Sequence, residues 1–144
     1  MRSFEGAAGA VDQSSAPQST EIEDGVVTQD AIARIFARRY KDHLRYCHHS
    51  GAWYVWSGAY WRKDETDLAL QLIRELARKF SAGSMPKDLK EARKVGFAVG
   101  VERFARGDRV LAVTAEAWDQ DPFLLGTPSG TVDLRTGVLR ASVP

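Results

Sequence analysis

A single cysteine, Cys47, stands among the 144 residues. No internal disulfide can form, and a reducing, cytoplasmic setting is expected. No apolar run approaches the ~20 residues needed to cross a bilayer, so no membrane partner is expected. The N-terminus lacks the basic-then-apolar pattern of a secretory signal. Also missing is any Gly-Lys-Ser or Gly-Lys-Thr, the end of the glycine-rich loop whose amides cradle nucleotide phosphates. Gly6-Ala-Ala-Gly9 has no lysine after it. No cofactor is therefore expected in this chain. His-Glu-x-x-His is absent as well, and hydrolase chemistry has no support.

Net charge is nearly absent too, at +1, but it is unevenly spread. Residues 1–25 hold Glu5, Asp12, Glu21, Glu23 and Asp24 against Arg2 alone, a net −4. The remaining 19 basic and 14 acidic residues give residues 26–144 a net +5. That excess permits contact with phosphate and falls short of a strongly basic DNA-binding domain. Gly, Ala, Ser, Gln and acid dominate residues 1–25, which read as a disordered leader. With 44% hydrophobic and 27% charged residues overall, the chain from 26 to 144 reads as one globular domain.

Within that domain, Thr28 or Asp30 caps a helix to about Tyr40, with Ile32, Ile35, Phe36 and Tyr40 on one face and Arg34, Arg38 and Lys41 on the other. The period then changes to alternation. Leu44–Cys47, Trp53–Trp56 and Tyr60–Lys63, parted by Gly turns, predict a small antiparallel meander. Trp53 and Val55 oppose Tyr54 and Trp56 on its two faces. Asp64 or Thr66 caps a second helix to about Phe80, with an apolar stripe of Leu68, Leu72, Ile73, Leu76 and Phe80. Pro86 opens a third, predicted to run to Arg106 with a kink or close approach at Gly96 and Gly100. A short helix is expected from Gly107 to Ala115. The stretch Trp118–Leu125 is apolar and irregular. Gly130–Leu134 and Val138–Arg140 flank Arg135-Thr136-Gly137 as a hairpin. The fold class expected is α+β, mainly helical, with the meander and a C-terminal hairpin.

This succession resembles the N-terminal domain that precedes the helicase in phage and plasmid primase-helicases and in related poxvirus proteins. Three segments carry the likeness: Thr28-Gln29-Asp30-Ala31 through Phe36 and Tyr40 to Leu44-Arg45-Tyr46; Trp53–Gly58 through Tyr60-Trp61 to Asp64-Glu65; and Trp118–Leu125 followed by Gly130–Gly137. Many members carry Asn where this chain has Gly126, and Asn-Gly where it has Ser129-Gly130. The resemblance implies a DNA-replication context and an adjoining ATP-driven helicase domain as partner. ATP and Mg²⁺ are expected only there. It also implies ring-shaped assembly of the parent protein.

Candidate chemistry reduces to a few clusters. Cys47 lies beside His43, His48 and His49, but zinc sites want two separated ligand pairs, and adjacent His48 and His49 on a strand face opposite ways. Asp119, Asp121 and Asp133 could hold Mg²⁺ as primase carboxylates do; Asp121 before Pro122 and Asp133 before a Gly turn read better as turn formers. No catalytic residue and no metal ligand is nominated. The aromatic strands invite base stacking beside Arg45, Arg62 and Lys63, although one face of a meander must be core. The third helix holds Lys87, Lys90, Arg93 and Lys94, the first candidate for phosphate contact; Arg34, Arg38 and Lys41 are the second. Two functions follow from these features. One is an accessory module holding template DNA on the basic helix face. The other is a collar docked on the helicase domain without touching DNA.

Overall fold

A computed structural model describes residues 27–144. The leader expected over residues 1–25 lies outside the described residues. Helix α1 (Gln29–Tyr40) begins where the Thr28 hydroxyl accepts the Ala31 amide at 3.1 Å, meeting one of the amide donors a helix start leaves unpaired. Its stripe is buried as the spacing demands: Ile32, Ile35 and Phe36 are core, while Arg34 and Arg38 face water.

Strands β1 (Leu44–Cys47), β2 (Ala52–Trp56) and β3 (Trp61–Lys63) form the expected antiparallel meander. Its faces are now assigned. Leu44, Tyr46, Trp53 and Val55 point to the helices; Arg45, Tyr54, Trp56 and Trp61 point away. Trp53 meets Phe36 edge-on at 6.0 Å and Tyr46 at 5.1 Å. Its indole N–H donates to Glu102 at 2.8 Å, and that carboxylate also receives Arg106 at 2.8 Å. The polar tip of a buried ring is thus satisfied.

Helix α2 (Leu68–Ser81) starts under Asp64, whose carboxylate accepts the amides of Thr66 at 2.9 Å and Leu68 at 2.7 Å. The residue immediately before the helix is Asp67, in the left-handed region at φ 56°. Ile73, Leu76 and Ala77 face the core.

Three expectations are corrected beyond this point. The single helix from Pro86 to Arg106 is two helices, α3 (Pro86–Ala92) and α4 (Val95–Arg106), with Lys94 extended between them at ψ 146°. The physical reason lies in angular positions. At 100° per residue a straight helix places Ala92 opposite Val101, yet both are buried, with Phe97, Ala98 and Ala105 on Val101's side. The break at Arg93-Lys94 lets both apolar faces turn inward. Gly100 makes the anticipated close approach, since an added Cβ would run into the Gln29 side chain of α1.

The helix expected over 107–115 does not form. Asp108 instead makes a turn, accepting the Val110 amide at 3.0 Å. Ala112–Val113 becomes strand β4, parallel to β1, and a 3-10 turn follows at Ala115–Ala117. The run Val110-Leu-Ala-Val-Thr114 is β-prone, and pairing with β1 overrides local helix preference. Tyr46 N–H donates to Leu111 O at 2.8 Å and His48 N–H to Val113 O at 3.0 Å. The first sheet has the order β3-β2-β1-β4. Leu111, fully buried, plugs the core beneath it.

The C-terminal hairpin is one strand larger than expected. Leu124–Thr127 is strand β5, and it pairs with β6 (Gly130–Asp133), which pairs with β7 (Val138–Arg140). Gly130 sits at φ 144°, where a Cβ would come 2.5 Å from the Arg140 carbonyl oxygen, so glycine is required. Asp121 and Asp133 each close a turn, onto the Phe123 amide at 3.0 Å and the Arg135 amide at 2.9 Å. Arg135 then grips Asp121 with two nitrogens, at 3.1 and 2.8 Å.

That grip holds the Asp121 carboxyl below its ordinary 3.8, chiefly through the Arg135 hydrogen bonds. A carboxyl depressed in the fold contributes stability that is present above its ordinary value and lost as pH falls through the folded one. The window is therefore the acid side of pH 3.8. In Arg135→Gln, an NMR titration of Asp121 is expected to show its midpoint rising toward 3.8. A midpoint unmoved by the substitution refutes the assignment.

Candidate nucleic-acid interface

The four cations nominated just after Pro86 divide between two settings. Lys87 and Lys90 lie exposed on α3. Arg93 and Lys94 sit at the α3–α4 break, where they meet Arg74 and Arg78 from α2. These last four cations line a groove of about 280 Å³ whose other lining residues are Leu70, Ala92, Val95 and Ala98. Arg74 and Arg78 are four apart on one helix and therefore stack on one face. The break in the third helix is what turns Arg93 and Lys94 toward them.

The electrostatics favour an anion in this groove. Lys94 is tied to Glu91 at 2.6 Å, and Arg74 donates to Gln71 at 3.2 Å. Among the described residues, no carboxylate lies within ion-pair distance of Arg78 or Arg93. α4 begins at the groove with no acidic residue in its first turn and no side chain capping it, so its positive end adds to the field. All four side chains are exposed, so their attraction for an anion is that of converging surface charges and weakens with salt.

The α1 cations are exposed as expected, with Arg34 bound to Asp30 at 3.0 Å. None of Arg34, Arg38 and Lys41 lines the groove. Sequence reading missed Arg74 and Arg78. Their spacing on the exposed side of a predicted helix was readable, but their convergence with Arg93 depends on the α3–α4 break.

The histidines beside Cys47 are engaged separately. His48 Nε2 lies 2.8 Å from the Arg106 carbonyl, and His49 Nδ1 accepts the Ala115 amide at 3.0 Å. Cys47 is buried, and hydrogen bonding from the Ser50 backbone holds its thiol below its ordinary range. No three of the described His, Cys, Asp and Glu residues are grouped to hold a metal ion. No described helix is long and apolar enough to cross a membrane.

With this geometry in place, comparison with known families assigns the chain. The model of the family described as D5 N terminal like matches residues 33–144. The chain belongs to that family, a domain of primase-helicase proteins that act in DNA replication. The match takes in both sheets, all of α2–α4 and most of α1. A search of curated proteins returns no match.

Proposed function

We propose that this chain is a non-catalytic accessory domain of a phage- or plasmid-type primase-helicase, working in the cytoplasm, that holds template DNA by its phosphates. The observation that carries the reading is the convergence of Arg74, Arg78, Arg93 and Lys94 on one groove. Guanidinium forks match phosphate oxygens bidentately. Lys87 and Lys90 on the neighbouring α3 extend the positive surface. ATP and Mg²⁺ chemistry belongs to the adjoining helicase domain, since this chain has no phosphate loop.

Titration of labelled DNA at several salt concentrations tests the reading. Neutralising about four phosphates predicts a slope of log affinity against log salt of roughly −3 to −4. A folded chain that shows no salt-dependent binding at low ionic strength removes the proposal.

A second reading is favoured by the C-terminal sheet. Leu125, Val132 and Leu139 lie abreast across β5, β6 and β7, and Leu125 and Leu139 are each about half exposed, at 52% and 54%. An apolar row of this kind suits docking on the adjoining helicase domain. Sizing the parent polypeptide with and without this domain distinguishes the two, because unchanged assembly counts against the docking role.

A further inference from the structure

The outer face of the first sheet is the second concentration of chemistry on the molecule. In register across β1, β2 and β3, Arg45, Tyr54 and Lys63 form one row; the Trp56–Trp61 pair forms the next outward row. The helices pack on the opposite side, through Trp53 and Tyr46. Trp56 and Trp61 are in ring contact at 5.3 Å, and the Arg45 guanidinium lies over Trp61 at 5.0 Å from its centre. Tyr54 is thus flanked by cations from both neighbouring strands. Asp42 is near enough to act on the Arg45 charge, but the outward rows themselves hold no carboxylate.

A flat ring from elsewhere in the chain already rests here. Trp118, entering from the 3-10 turn, lies 5.3 Å from Tyr54 and 5.9 Å from Trp61. Its ring is tilted to theirs, at 44° and 59°, so the face already gathers aromatic rings by edge and tilted contact. Tyr54, Trp56, Trp61 and Trp118 all keep part of their surface open to solvent. Open sheet faces with aromatic rings between cations suit unpaired bases, whose rings stack while their phosphates meet the charges. Paired bases in a duplex present no free ring face.

We propose that this face binds single-stranded DNA, one or more bases stacking on the Trp56–Trp61 pair beside Trp118, with the exposed Lys63 taking a flanking phosphate and Arg45, held over Trp61 by the Lys41 and Leu44 carbonyls, adding positive charge. The proposal rests on the nucleic-acid reading above but uses different residues from the α2–α4 groove. It adds what the groove alone does not supply, a preference for unpaired strands.

The test uses the full 144-residue chain and three probes of equal length: oligo(dT), an abasic strand and a duplex. Binding is followed by labelled-DNA anisotropy and by intrinsic tryptophan emission. Oligo(dT) is expected to bind about ten-fold more tightly than the abasic strand and to quench the emission. Trp56→Ala is expected to remove about that ten-fold advantage and leave duplex affinity unchanged. Lys63→Glu, at an exposed position that leaves the packing intact, is expected to weaken oligo(dT) selectively. Equal affinity for oligo(dT) and the abasic strand, with no quenching, overturns the stacking face even where salt-dependent duplex binding persists. Loss of duplex affinity on charge reversal in the groove, with oligo(dT) quenching retained, supports it as a separate site. If no probe binds the folded chain, the groove and the stacking face fall together.

Discussion

Phe36→Ala is expected to cost the fold about 3–5 kcal/mol, the usual range for removing a fully buried aromatic ring. Phe36 is completely inaccessible, and its ring touches Tyr40 at 5.0 Å on its own helix and Trp53 at 6.0 Å on the sheet. It is therefore the point at which α1 is fastened to the meander. A cavity there is bordered by two large rings that cannot both collapse into it, which favours the upper half of the range. Domains of this size are stable by about 5–15 kcal/mol, so a substantial fraction is lost. Urea denaturation followed by tryptophan emission measures it, with the midpoint moving and the slope preserved. A change under about 1 kcal/mol means that α1 does not pack as described.

The largest functional effect is expected from reversing charge in the groove. Arg78→Glu combined with Arg93→Glu converts two cations that line one groove, neither with a carboxylate partner among the described residues, into acids. DNA affinity at low salt is expected to fall by about 100-fold, and the salt slope to shrink by roughly 2 as two phosphate contacts disappear. Lys87→Glu with Lys90→Glu changes total charge by the same amount on α3, outside the groove lining. That pair is expected to cost less than about ten-fold, through long-range field alone. Equal losses from the two pairs identify diffuse attraction rather than a seated phosphate. Circular dichroism of each variant confirms that the helices persist.

Much of the architecture was readable before any coordinates. Thr28 or Asp30 and Asp64 or Thr66 signalled helix starts, the Ile32-Ile35-Phe36 spacing gave the buried side of α1, and the Trp-rich alternation gave the meander. These depend on local chemistry and short periods. What depended on distant partners was not readable. Ala112–Val113 became a strand because β1 offered its edge, 66 positions earlier at Tyr46–Ala112. Leu124–Thr127 was too short, and too close to Pro128, to stand out until β6 paired with it. Which side of β2 faced the helices could not be chosen, because Trp53 and Trp56 are alike in type. Half of the candidate interface was legible: Arg93 and Lys94 were named on charge and position, whereas Arg74 and Arg78 were passed over. The α3–α4 break follows only once Ala92 and Val101 are both known to be buried, which one straight helix does not allow.

The parallel pairing of β4 with β1 also bears on how the chain reaches this shape. Its partners Tyr46 and Ala112 are separated by all of α2, α3 and α4. The hairpin β1–β2 closes over a short loop, whereas the β1–β4 contact spans a long one, whose closure entropy must be met before the pairing rewards it. A nascent or proteolysed chain ending before Leu111 leaves the β1 edge unpaired and the core unplugged, a bare template for another strand. A chain truncated before Ala112 is expected to aggregate where one that retains β4 stays soluble, which expression of a truncation series measures.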